Sequence, residues 1–79
     1  MNIDDFIASF ECAVDGIPSG SLSPTTQFRD LKEWDSLAAL SIIAMVNAEY
    51  GVELSASELR NSKSIENIFR AVTAKREIQ

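Results

Sequence analysis

Few side chains in this sequence can make or break bonds. It contains no histidine and one cysteine, Cys12. That excludes a Ser-His-Asp or Cys-His nucleophile pair, a His/Cys zinc site and a disulfide framework. No residue type present is suited to general-base work near neutral pH, so the chain is not expected to be an enzyme. Cys12 falls off the apolar stripe of its helix and has no base beside it, so it is expected to be partly exposed and unactivated. Asp4 and Asp5 sit where a helix dipole favours carboxylates; they read as a solvated helix start, and no metal site is assigned. What remains is Ser36, between Asp35 and Leu37. Asp35 is an N-cap candidate, which places Ser36 at the first helical position. Taken alone, Asp-Ser-Leu is an ordinary capped helix start. Its placement after a long loop, at the head of an apolar helix in a small acidic chain, is the informative part.

Four helical elements are needed to hold that serine. A first helix is predicted from Ile3 to Asp15, with Ile3, Phe6, Ile7, Phe10, Ala13 and Val14 on one stripe. Asn2 caps it, Gly16 ends it, and Asp4, Glu11 and Asp15 lie on the opposite, outward side. A connection from Ile17 to Trp34 follows. It is long for a structureless loop, so Ile17, Leu22, Phe28, Leu31 and Trp34 should tie it down, with a helical turn at Pro24-Thr25-Thr26. Trp34 reads as packing the loop onto the bundle, and ligand stacking is the second reading. A second helix is predicted from Ser36 to Tyr50, ending at Gly51. Its core stripe is Ala39, Ile42, Ile43, Val46 and Tyr50. The opposite arc carries Leu37, Ala38, Ser41, Ala44, Met45 and Ala48, with charge only at Glu49. That arc is either covered by other elements or a partner-docking surface. Ser55-Ala56-Ser57-Glu58 fits a capping box, opening a short third helix to Asn61 with Leu59 inward. A fourth helix begins after Ser64, with Ile65, Ile68, Phe69 and Val72 inward and Lys75 and Arg76 near its end; Glu77 to Gln79 should fray. The fold class is therefore all-α: a small four-helix bundle with a long first connection and a short third helix, taken as one domain over residues 1–79.

Composition sets the outer limits. At 46% apolar and 24% charged residues, the chain can build a core and is not disordered by composition. Its net charge of −5 argues against nucleic acid as a partner. The charge is uneven: residues 1–40 hold seven acids against two bases, and residues 41–79 hold five of each. The longest near-apolar run, Leu37 to Val46, is too short for a bilayer, which needs about 20 residues. The N-terminus lacks a basic region, so no signal peptide is read there. A soluble, cytoplasmic monomer without membrane insertion is the expectation.

Asp35-Ser36-Leu37, the long loop before it and Gly51-Val52-Glu53-Leu54 after the second helix resemble the acyl carrier protein family, with its peptidyl and aminoacyl relatives. Leu22-Ser23-Pro24 and Phe28-Arg29-Asp30-Leu31 match the family's loop anchors, and the resemblance spans nearly the whole chain. It implies a 4′-phosphopantetheine arm on Ser36, attached through a phosphodiester by a phosphopantetheinyl transferase that uses coenzyme A. The arm's thiol would hold an acyl or aminoacyl group as a thioester, so the protein itself needs no catalytic residue. The phosphate would sit at a helix N-terminus, among free N–H groups. By the same resemblance Asp35 assists the transferase and Leu37 touches partner enzymes, with Ala38, Ser41 and Met45 extending the docking face. Ile42, Val46, Leu59 and Ile65 would line a gap for a short acyl chain, though they equally make an ordinary core. Partners would be an acyl-loading ligase or acyltransferase and downstream synthase enzymes.

The sequence departs from the family pattern in two places. Lys32-Glu33-Trp34-Asp35 has no Gly two places before the Asp, and one extra residue follows Leu31. The second helix lacks the acids with which common fatty-acid carriers dock basic synthase surfaces. Both point to a specialised carrier in a lipid or secondary-metabolite pathway. An aminoacyl or peptidyl carrier is the second reading, and an unmodified helical interaction module the third.

Overall fold

The computed structural model describes residues 2–78, the side chain of Ile78 excepted. It contains four α-helices: α1 (Ile3–Ala13), α2 (Ser36–Tyr50), α3 (Ala56–Asn61) and α4 (Ile65–Ile78). A 3₁₀ turn, Phe28–Asp30, interrupts the first connection. No strand occurs among the described residues. The all-α expectation holds. α1 packs against α2 and α4, and α3 bridges α2 and α4.

Each helix starts on a side-chain cap that the sequence already names. The Asn2 side chain accepts from the Asp4 N–H (2.7 Å), and Asp35 Oδ1 accepts from the Ala38 N–H (2.8 Å). Ser55 and Glu58 form the reciprocal capping box, each side chain accepting from the other's N–H at 3.0 Å. Ser64 and Asn67 do the same for α4. Gly51 ends α2 at φ +67°, a left-handed conformation that glycine adopts without a Cβ clash.

Phe6, Phe10, Phe28, Ile42, Val46, Val52, Ile65, Ile68 and Val72 are fully buried in one core. Trp34 stacks on Phe10 (centroids 6.1 Å apart, 11° between planes) and meets Phe28 edge-on at 4.8 Å. It therefore fastens the loop to α1, as its packing reading requires.

Three expectations need correction. α1 ends at Ala13, not Asp15: Val14 turns extended, its N–H still bonded to the Phe10 carbonyl, and its side chain enters the core. Gly16 (φ +91°) lies in the turn beyond. Glu11 does not face outward. It is 7% exposed, and its two carboxylate oxygens accept the Gly20 and Leu22 N–H groups, both at 3.0 Å. Apolar periodicity assigns a carboxylate to solvent by default, but two backbone donors from the loop satisfy it in place. Finally, α4 continues through Glu77, where fraying was expected; Gln79 lies outside the described residues.

The loop is also tied to α4. The Ile65 N–H donates to the Thr26 carbonyl (3.2 Å) and the Glu66 N–H to the Pro24 carbonyl (2.9 Å). These are two of the N–H groups that a helix leaves open at its start.

Candidate functional site

Ser36 is exposed at the first position of α2. Asp35 precedes it in extended conformation; its side chain fills one of the helix's open donors, the Ala38 N–H, and its carbonyl accepts the first intrahelical bond, from the Ala39 N–H (3.0 Å). The Ser36 and Leu37 amides have no protein partner among the described residues. With the positive end of the α2 dipole they form a place where an anion on Ser36 Oγ is stabilised. No group of three His, Cys, Asp or Glu side chains is placed to hold a metal among the described residues.

Beside Ser36 a cavity of about 540 Å³ opens between the loop, α2 and α3. Trp34, Ala39, Leu40, Ile43, Ala56 and Leu59 make its apolar walls, and Asp35, Ser36, Arg29 and Arg60 complete the lining. The volume falls in the range of small-ligand sites. Two displaced ionisations lie outside this lining. Burial pushes the Tyr50 hydroxyl upward, partly opposed by the neighbouring Ser9 side chain. The hydrogen bond from Lys75, then the Ser55 backbone, pulls the Glu58 carboxyl below its ordinary value.

A family model described as a phosphopantetheine attachment site matches residues 6–72. The chain belongs to that family. No curated protein and no solved structure matches it. Phosphopantetheine-attachment domains are non-catalytic carriers, and their cofactor is 4′-phosphopantetheine held covalently on a serine. The residues at the head of α2 fit such a group. An exposed hydroxyl, two unpartnered amides and an adjoining apolar cavity are what a phosphodiester-linked arm needs. No helix among the described residues is long and apolar enough to cross a membrane.

The carrier's other anticipated site residues scatter. Leu37 is 68% exposed beside Ser36, as a docking residue requires. Ala38 and Met45, expected on the outward arc, are buried, and Ser41 is half-buried. Their place outside is taken by Leu40, 63% exposed. The outward arc is thus Leu37, Leu40, Ala44, Asn47, Ala48 and Glu49, and Glu49, its one acid, accepts a hydrogen bond from Ser9 Oγ (2.8 Å). Of the anticipated acyl-chain contacts, Leu59 lines the cavity. Ile42, Val46 and Ile65 are wholly buried in the core and absent from the lining, which α2 supplies through Ala39, Leu40 and Ile43.

Sequence reasoning missed Leu40, Arg29 and Arg60. α2 is apolar almost all the way round, so its periodicity does not say which face is the core. Leu37, Leu40 and Ala44 do share a helical stripe, which was the available signal. The arginines lie in a loop and a two-turn helix, and no sequence pattern brings them together.

Proposed function

We propose that Ser36 is the attachment serine, and that the protein carries an acyl group on the arm and presents it to partner enzymes. The observation carrying this is the position of Ser36 Oγ: exposed, at the open N-terminus of a long helix, on the wall of an apolar cavity. Most other serines are engaged elsewhere, and the exposed Ser19 and Ser57 lie in the loop and in the six-residue α3, away from the cavity lining. Ser55 and Ser64 cap α3 and α4, Ser62 is buried, and Ser9 and Ser21 donate to Glu49 and the Pro18 carbonyl.

In this reading, when attached, the arm supplies a thiol that holds the cargo as a thioester. The chain positions and shields. Asp35 fixes the first turn of α2, so that Ser36 Oγ stands clear of the backbone for a phosphopantetheinyl transferase. The amides of Ser36 and Leu37 stabilise the phosphodiester charge. Leu37 and Leu40 offer apolar contact to an acyl-loading ligase or acyltransferase and to synthase enzymes. With its one outward α2 acid engaged by Ser9, the carrier suits a dedicated lipid or secondary-metabolite pathway, acting as a cytoplasmic monomer and a single domain. The scarcity of acids on α2 also favours a second reading, an aminoacyl or peptidyl carrier.

Intact mass after incubation with coenzyme A and a broad-specificity phosphopantetheinyl transferase tests the assignment. Wild type gains one phosphopantetheine and Ser36→Ala gains none. No gain by the folded wild type with several transferases overturns the reading and leaves an unmodified interaction module.

A further inference from the structure

The cavity beside Ser36 carries an unbalanced charge. Among the described residues Arg70 pairs with Glu66, Lys75 with Glu58, and the Arg76 guanidinium lies over the Tyr50 ring. Arg29, Lys32, Arg60 and Lys63 have no such partner, and two of these four, Arg29 from the loop and Arg60 from α3, line the cavity. The one carboxylate in the lining, Asp35, already accepts from the Ala38 N–H. In a chain of net charge −5, an apolar cleft is thus lined by two arginines that have no salt-bridge partner among the described residues.

That edge discriminates among cargoes. A plain alkyl chain fills the walls but leaves both guanidiniums unused. A cargo ending in an ammonium meets two like charges against the single carboxylate of Asp35. A carboxylate matches the planar, weakly hydrated fork of an arginine. Resting on the carrier reading, we propose that the cargo is an acyl group ending in a carboxylate. Its methylenes lie against Leu40, Ile43 and Leu59, and its carboxylate is held by Arg29 and Arg60. The arm's phosphodiester is the other oxyanion attached to this wall, and the experiment must separate the two.

The transferase loads the protein directly from adipoyl-, hexanoyl- or ω-aminohexanoyl-coenzyme A, with coenzyme A giving the bare arm. Two readouts follow: nitrogen-15 shifts of the Arg29 and Arg60 Nε–H and of the Leu40 and Leu59 amides, and the rate of thioester hydrolysis by mass. The adipoyl form is expected to move all four signals and to hydrolyse roughly three- to five-fold more slowly than the hexanoyl form, the scale of a partly exposed ion pair. The ω-aminohexanoyl form should move neither arginine. Arg29→Gln with Arg60→Gln, both at exposed positions, should stay folded by circular dichroism and lose the adipoyl advantage. Equal shifts and rates for adipoyl and hexanoyl overturn the proposal. So do arginine shifts already complete with the bare arm, which would make the phosphodiester their anion. Failure to take up any arm overturns the carrier reading and this proposal with it, whereas uptake without selectivity overturns this proposal alone.

Discussion

The loop between α1 and α2 and the outer face of α2 exchange the roles their regularity would suggest. The loop is nearly without regular structure, yet it contains a fully buried phenylalanine, a stacked tryptophan and backbone donors pinned by a buried carboxylate. α2 is regular and well capped, yet it turns Leu37 and Leu40 to solvent. Irregular backbone is fixed where side chains over-determine it, and a regular helix is free to spend its surface on recognition. Stability should therefore respond to the loop, and partner binding to the helix.

The largest test falls on Phe28. It is wholly buried against Phe10 and Trp34, so Phe28→Ala leaves a cavity where the loop meets α1. A loss of about 3–5 kcal/mol is expected in urea unfolding. A loss below about 1 kcal/mol would mean the loop collapses freely and is not a structural part of the core.

Glu11 comes next. Glu11→Ala removes the acceptor for the Gly20 and Leu22 N–H groups, with an expected cost of about 1–3 kcal/mol. Hydrogen exchange should accelerate at those two amides more than in α2. Glu11→Gln, which keeps one acceptor oxygen, should fall between. Uniform acceleration across α2 and the loop would break the contrast between the two regions.

These two positions also show what could be read in the sequence. Phe28 and Trp34 were legible as anchors because a compact domain cannot leave a long loop unpacked. The caps at Asn2, Asp35, Ser55 and Ser64 were legible because capping is a local exchange between a side chain and amides two or three residues on. The setting of Ser36 at the first position of α2 was legible for the same reason: it is made by Asp35 and the helix start. Glu11 was not, since its donors lie nine and eleven residues away in irregular backbone. Nor was the inner face of α2. With apolar residues on nearly every side, only the neighbours decide that Ala38 and Met45 go in and Leu40 stays out.

A smaller effect is expected at the α3–α4 contact. Hydrogen bonds from Lys75 and the Ser55 backbone hold the Glu58 carboxyl below its ordinary value of 4.5. Because the folded value is the lower one, the unfolded chain takes up the proton first as pH falls. The contribution is complete above about pH 4.5 and declines as pH drops through the folded value. Glu58→Gln should flatten that acid limb in a Tm-against-pH series and leave the slope above pH 6 unchanged. An unaltered acid limb would show that the pair contributes nothing beyond an exposed ion pair.

The smallest effect on stability belongs to the outer face of α2, and it is the sharpest test of the comparison. Leu37→Ser and Leu40→Ser remove side chains that are mostly in water, so each should shift stability within about 0.5 kcal/mol. The same changes should weaken engagement by a loading enzyme or synthase, read as a rise in KM for the arm-bearing protein. Since the proposed docking face is apolar and Glu49 is already bonded to Ser9, that KM should vary little with salt. A steep salt dependence would move recognition to charged residues elsewhere, Asp30 and Glu33 in the loop being the nearest acids to Ser36 in the chain after the capping Asp35. The loop would then serve both purposes, and α2 would only hold the serine in place.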